Sequence, residues 1–66
     1  MTVAMESDRA ELSSLATTVD DIAQRVERLA TEVARRGEEA AAYDLYEVER
    51  SLRVAQRRLA RLMRGA

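Results

Sequence analysis

The chain has 66 residues and a mass of 7.4 kDa, so it forms at most one small domain, because single domains usually span roughly 50 to 200 residues. Ala, Glu, Leu and Arg supply 38 of the 66 residues, a composition typical of coiled coils and long helices. The absence of His and Cys excludes disulfides, thiolate nucleophiles and zinc sites built on imidazole or thiolate. With no Pro and only two Gly, the chain also has few of the residues that usually form loops, and loops usually carry catalytic groups. We therefore expect no enzyme activity, no catalytic residue, no cofactor, no metal site and no small-molecule substrate.

The N-terminal sequence MTVAMESDRAEL lacks a basic segment followed by an apolar run, as a secretory signal would have. No stretch approaches the roughly 18 consecutive apolar residues that a membrane-spanning helix needs. These features predict a cytoplasmic protein without a membrane partner.

Large aliphatic side chains in the first half of the chain recur at alternating spacings of three and four residues, which is a heptad pattern. They are Leu12, Leu15, Val19, Ile22, Val26, Leu29 and Val33. With Leu12 at heptad position a, position e is filled by Ala16, Ala23 and Ala30. An apolar stripe of this width is typical of a bundle helix that packs against two neighbours.

A second heptad pattern occupies the C-terminal half, but it does not continue the phase of the first. It comprises Leu45, Val48, Leu52, Ala55, Leu59 and Leu62, with Ala41 one step upstream at position d. An interruption is therefore predicted between the two patterns, and the segment Arg35-Arg36-Gly37-Glu38-Glu39 supplies it. Arginines favour the C-terminal end of a helix, glycine the position just beyond it, and glutamates the start of the next helix.

These patterns predict an all-α fold, an antiparallel two-helix hairpin that forms one domain over residues 1–66. Helix 1 is expected near residues 7–36 and helix 2 near residues 39–64, with the turn around Gly37 and with residues 1–6 frayed.

Three alternatives for these boundaries stay open from sequence. Ser7 is the predicted N-cap of helix 1, although Thr17 or Thr18 could cap a shorter helix. The segment Asp44-x-x-Glu47 resembles a capping box and would start helix 2 near residue 45. Finally, one continuous helix of some 55 residues could tolerate Gly37 at a cost of about 1 kcal/mol.

Charge is segregated along the chain although the formal net charge is only −1. Residues 1–24 and 37–49 are acidic, with net charges of −4 and −5, whereas residues 25–36 and 50–66 carry +2 and +6. In an antiparallel hairpin, residues whose numbers sum to about 75 face each other, so each acidic block meets a basic block. An antiparallel dimer of two continuous helices would satisfy the same pattern nearly as well.

Two short helices bury too little surface to be more than marginally stable. We therefore expect two hairpins to form a homodimeric four-helix bundle, with a hetero-complex or a larger assembly as alternatives. The predicted oligomer interface comprises Leu12, Leu15, Val19, Ile22, Val26, Leu29, Val33, Leu45, Val48, Leu52, Leu59 and Leu62.

One flank of helix 2 combines the only two tyrosines with arginine and an isolated apolar side chain. Its members are Tyr43, Tyr46, Arg50, Val54 and Arg57. Because tyrosine and arginine are enriched at interface hot spots, this flank is the predicted binding patch of a protein-interaction or adaptor module with an unidentified protein partner. A purely structural alternative has the tyrosine rings covering the turn end of the bundle while their hydroxyls stay in water.

Helix 2 also carries six arginines at helical spacing: Arg50, Arg53, Arg57, Arg58, Arg61 and Arg64. Such a series can follow a phosphate backbone, so a nucleic-acid-associated protein is the alternative function. The structural explanation is that these arginines compensate the acidic start of helix 1. The chain has no aromatic stacking platform and no recognisable DNA-binding motif, which favours the protein-binding hypothesis.

Overall fold

The computed structural model describes residues 6–65, which form two helices joined by a short turn. Helix α1 is Glu6–Arg35 and helix α2 is Glu39–Gly65. The helices pack against each other as an all-α hairpin that measures 49 × 16 × 12 Å. The predicted hairpin is therefore confirmed, and the alternative of one continuous helix is wrong. Of the residues predicted to fray, 1–5 lie outside the described part of the chain and Glu6 belongs to α1.

Both helices start earlier than the alternatives proposed. Because α1 begins at Glu6, Ser7 lies inside the helix and is not its N-cap, and a helix capped by Thr17 or Thr18 is excluded. Because α2 begins at Glu39, the Asp44-x-x-Glu47 segment lies within the helix and caps nothing. The alanines that follow Glu39 explain this start, since alanine has the highest helix propensity.

The turn between the helices is a Schellman motif built on Gly37. Gly37 has φ +86°, a left-handed conformation that glycine adopts without steric cost. The Gly37 N–H donates to the Ala34 carbonyl at 2.9 Å, and the Glu38 N–H donates to the Val33 carbonyl at 3.2 Å. The Glu38 carbonyl then accepts the first hydrogen bond of α2, from the Ala42 N–H at 3.0 Å. Glu38 thus donates a hydrogen bond to the end of α1 and accepts the first hydrogen bond of α2. The chain therefore reverses its direction in a short turn.

The register of the hairpin agrees with the predicted one. Hydrogen bonds between the helices join Thr31 to Tyr46, Asp20 to Arg53 and Arg9 to the backbone of Met63. The residue numbers in these pairs sum to 77, 73 and 72, close to the expected value of about 75. The acidic start of α1 therefore lies beside the basic end of α2.

The core of the hairpin consists mainly of alanine. Ala23 and Ala30 are fully buried, and Val33 and Ala42 are 6% and 4% exposed. Ala23, Ala30 and Ala42 occupy heptad position e, while the aliphatic residues at position a, apart from Val33, are half-buried. Small side chains let two helices approach closely, but each buries little apolar area. None of the large side chains in the described part of the chain is completely buried, so the hairpin closes along positions a and e and not along a and d.

Candidate interaction surface

The heptad frames divide the hairpin into two broad faces. In both helices position e points at the other helix, as the burial of Ala23, Ala30 and Ala42 shows. In a right-handed helix, positions a and d lie to one side of e and position b lies to the other. Because the helices run in opposite directions, the d positions of both fall on one side of the hairpin and the b positions on the opposite side. We call the side with the d positions the open face and the side with the b positions the polar face.

The polar face is closed by an ion pair between the two helices. The Arg53 guanidinium donates from Nη1 to the Asp20 carboxylate at 2.7 Å. It also donates from Nε to Glu49 at 3.0 Å and from Nη1 to the side-chain oxygen of Gln56 at 2.9 Å. Hydrogen bonding from Arg53 is the main cause that lowers the pKa of the Asp20 carboxyl below its usual range. This cluster crosses the hairpin near its middle and fixes one side chain of each helix.

A second polar contact lies nearer the turn. The hydroxyls of Thr31 and Tyr46 are 3.4 Å apart, and Thr31 Oγ1 also donates to the Glu27 carbonyl at 3.1 Å. Tyr46 therefore leans across the polar face toward α1 and contributes to the hairpin itself.

The open face carries a row of large apolar side chains that the described residues leave uncovered. Leu15, Ile22 and Leu29 of α1 and Val48 and Leu62 of α2 are 39 to 56% exposed. Ala41 and Ala55 complete the row on α2 and are also exposed. The predicted oligomer interface is thus divided in two: its position a residues pack at least partly within the hairpin, while its position d residues remain in solvent.

A shallow groove lies on this face, lined by Ile22, Arg25, Val26 and Leu29. These residues stand at positions i, i+3, i+4 and i+7 of one helix. Four residues at this spacing form the hole that accepts one side chain of a facing helix in knobs-into-holes packing. The geometry of α1 therefore suits an apolar side chain from an additional helix.

The predicted protein-binding patch of α2 lies away from the open face, at outer positions of the helix. Tyr43 is 64% exposed, Arg57 is exposed, and Val54 is half-buried. Arg50 is also exposed and lies 3.5 Å from Glu47 in an ion pair. Tyr46 differs from the other members, because its hydroxyl is the one that contacts Thr31.

The six arginines of α2 are not equivalent. Arg53 is held by Asp20 and Glu49, and Arg50 pairs with Glu47. Among the side chains of residues 8–65, no ion pair involves the remaining four, Arg57, Arg58, Arg61 and Arg64. Among these described side chains, the proposed compensation of α2 arginines by the acidic start of α1 is seen at Arg53.

Most of the other ion pairs are local and join neighbours within one helix. Arg25 pairs with Asp21 at 4.0 Å, and Arg35 and Arg36 both pair with Glu32. The Arg36–Glu38 pair, at 3.4 Å, spans the turn. Segregated charge thus gives a general preference for the antiparallel orientation, while local i, i+3 and i, i+4 neighbours take most of the direct contacts.

Sequence reasoning identified the arginines but missed the Asp20–Arg53 pair and the Thr31–Tyr46 contact. Asp20, Arg53 and Tyr46 all occupy position b, which lies on the side of the hairpin opposite the apolar row of d positions. A search for complementary polar residues at the b positions of both frames would have found the ion pair.

Neither described helix is long and apolar enough to cross a membrane. No group of three or more acidic side chains comes together in residues 6–65 to hold a metal ion. Comparisons with protein-family models, curated proteins and solved structures found no match to this chain.

Proposed function

We propose that this chain is a small non-enzymatic interaction module that self-associates through its open face and presents the outer side of α2 to another protein. The observation that carries the proposal is the exposed apolar row, Leu15, Ile22, Leu29, Val48 and Leu62, beside a hairpin core made largely of alanine. Half-exposed aliphatic side chains in a contiguous row are typical of a protein interface.

A second copy of the chain is the simplest cover for this face. One hairpin supplies two of the four helices of a bundle, and each open face offers both apolar side chains and a hole to receive them. The same patch on both copies satisfies the requirement of an isologous interface. The product is a four-helix bundle with the d rows of both hairpins at its centre.

The Tyr/Arg patch stays accessible in such a bundle. Tyr43, Arg50 and Arg57 occupy position f and Val54 position c, which point away from the open face. Exposed tyrosine with arginine and a partly buried apolar neighbour resembles the composition of interface hot spots. These residues supply the adaptor half of the proposed function.

Self-association is tested by measuring solution mass with light scattering at protein concentrations up to about 1 mM, which detects even weak dimers. Wild-type protein is expected at about twice the chain mass of 7.4 kDa. Ile22→Gln and Leu29→Gln should shift the protein toward monomer, because each would place a polar amide in an apolar interface. Tyr43→Gln is the control, because Tyr43 is more exposed than either residue but lies outside the open face, and it should leave the mass unchanged. A monomeric wild-type protein at the highest concentration would refute self-association.

The adaptor half needs a separate measurement. Proteins retained by immobilised wild-type chain are identified, purified and titrated against wild type and a Tyr43→Ser/Arg50→Ala variant. Loss of two or more kcal/mol of binding free energy, about thirty-fold or more in Kd, is expected for hot-spot residues. Equal affinity for wild type and variant would show that the patch is not the binding site.

A second candidate function is supported by the four arginines for which the side chains of residues 8–65 supply no ion pair, Arg57, Arg58, Arg61 and Arg64. They cluster in the last turns of α2 and could neutralise phosphates of a nucleic acid. Titration of labelled DNA and RNA at several salt concentrations tests this function. Affinity that falls steeply with salt, and falls further in Arg57→Glu, would support it, whereas no affinity at low salt would exclude it.

A further inference from the structure

We infer that the second copy seats on the open face head to tail, so that the two Gly37 turns lie at opposite ends of the bundle. In this arrangement a twofold axis crosses the helices at right angles, α1 packs antiparallel on α1 of the second copy, and α2 on α2. The inference rests on the proposed self-association and specifies how the second copy is oriented.

The apolar row of α1 is symmetric about Ile22. Leu15 and Leu29 stand seven residues before and after it, and all three side chains are exposed. A twofold axis at Ile22 therefore places Leu15 opposite Leu29 of the second copy and Ile22 opposite its own equivalent. Each leucine then meets a side chain of the same size. The groove lined by Ile22, Arg25, Val26 and Leu29 receives an aliphatic side chain from the second copy.

The row of α2 has its own centre, between Ser51 and Leu52. Reversal about this point places Ala41 opposite Leu62, and Val48 opposite Ala55. Each large side chain of this row then faces a small one in the second copy. Close helix packing needs this complementarity of size.

The charges that border the row on α2 are symmetric about Ser51, which lies beside the centre of the row. Asp44 and Arg58 occupy position g, both are exposed, and they are equally far from Ser51 in sequence. No ion pair between the side chains of residues 8–65 includes either of them. Reversal about Ser51 brings Asp44 beside Arg58 of the second copy, and the twofold axis repeats this pair.

The two centres lie at the same height in the hairpin. Asp20 and Arg53 are joined directly, so residues near this level whose numbers sum to 73 face each other. Ile22 is then level with Ser51 and Leu52. A twofold axis that crosses the helices needs this coincidence, because it must pass through the centre of both rows at once. An axis that runs along the helices has no such requirement.

One contact in the inferred arrangement is unfavourable. Glu11 and Glu32, both at position g of α1, come opposite each other across the axis at Ile22. Glu32 already pairs with Arg35 and Arg36, which offsets its charge. In the alternative arrangement, with both turns at one end, Asp44 lies between Glu32 and Arg25 of the second copy, one like charge and one opposite charge, and Glu11 approaches Arg58.

Cysteine cross-linking tests the orientation directly, since the chain has no natural cysteine. Ser51 is exposed and lies next to the inferred axis, so Ser51→Cys should form a disulfide-linked dimer under mild oxidation. Ser14→Cys, which is exposed at outer position c, is the control and should remain largely monomeric on a non-reducing gel. A dimer by light scattering in which Ser51→Cys does not cross-link would overturn the orientation and leave self-association standing. A wild-type monomer would instead overturn the proposed self-association.

Charge reversal gives a second, independent readout in sedimentation equilibrium. Asp44→Arg and Arg58→Asp should each weaken dimerisation by about three- to thirty-fold, because each breaks two symmetric ion pairs, and the double variant should recover most of the loss. Glu11→Arg should strengthen the dimer, since it would face Glu32. In the alternative arrangement Glu11→Arg would weaken the dimer, because it would approach Arg58, and the double variant would recover nothing, so either result would overturn the inference.

Discussion

Asp20 on α1 and Arg53 on α2 are joined by an ion pair of 2.7 Å across the middle of the hairpin. Among the side chains described, those of residues 8–65, no other ion pair links the body of one helix to the other. It lies on the polar face, opposite the apolar row, where both side chains are partly screened from water. The pair therefore defines the register of the hairpin from the side opposite the open face.

Asp20 should make the stability of the hairpin depend on pH in the acid range. Its pKa is lowered in the folded chain, chiefly by the hydrogen bond from Arg53, so folding favours the ionised carboxylate. This stabilisation is complete above the unfolded-state pKa of about 3.9 and is lost as pH falls below it through the lower folded-state pKa. We expect the stability difference between wild type and Asp20→Asn to be constant from about pH 5 to 8 and to shrink toward zero in acid.

Thermal unfolding followed by circular dichroism at a series of pH values measures this difference. Asp21→Asn is the control, because Asp21 is more exposed and contacts only its helical neighbour Arg25 at 4.0 Å. A control variant that loses as much stability as Asp20→Asn, with the same pH profile, would show that the cross-helix pair has no special role.

Gly37 should tolerate substitution poorly although a side chain there meets no neighbouring atom within 4 Å. Its φ of +86° is unfavourable for any residue with a Cβ, so Gly37→Ala should destabilise the hairpin by about 1 to 2 kcal/mol. Urea denaturation measures the loss. Gly65→Ala, at the helical end of α2, is the control and should be neutral or slightly stabilising. A stabilising Gly37→Ala would mean that the two helices join into one in solution.

The close approach of the helices should depend on the fully buried alanines. Ala23→Leu and Ala30→Leu each add three carbons where the side chain has no exposed surface, and should destabilise the hairpin by about 1 to 3 kcal/mol. Ala34→Leu, at an exposed position of the same helix, should have almost no effect, because leucine is also a good helix former. Chemical denaturation of the three variants compares them. Equal stability of all three would show that the helices are not closely packed along position e.

The sequence predicted the hairpin because its local signals agree with each other. Three signals all indicate two helices and one turn. They are the alternating spacing of three and four residues between aliphatic side chains, the glycine between basic and acidic residues, and the alanines after Glu39. The Schellman hydrogen bonds of Gly37 and Glu38 form the turn that these signals predict. The N-cap was less predictable, because Ser7 and two threonines offer similar capping chemistry at different places.

The division of the apolar stripe was harder to predict than its existence. The heptad pattern of α1 shows that positions a, d and e are apolar, but it does not say which side of a the partner helix occupies. The alanines at e decide this in the structure, since they allow the closest backbone approach and leave the larger d residues outside. The Asp20–Arg53 pair was missed for the same reason, because position b becomes a cross-helix position only after e is chosen as the contact.

Self-association through the open face should make thermal stability depend on protein concentration. If the folded state is a dimer, unfolding releases two chains, and each tenfold rise in concentration raises Tm by about 5 °C for an assembly of this size. Leu29→Gln should reduce this dependence, because Leu29 is half-exposed in the hairpin and would be covered only in the dimer. Melting curves over a hundred-fold range of concentration provide the test. A Tm that does not change with concentration would mean that the alanine core alone stabilises the hairpin and that its open face is free for a different partner.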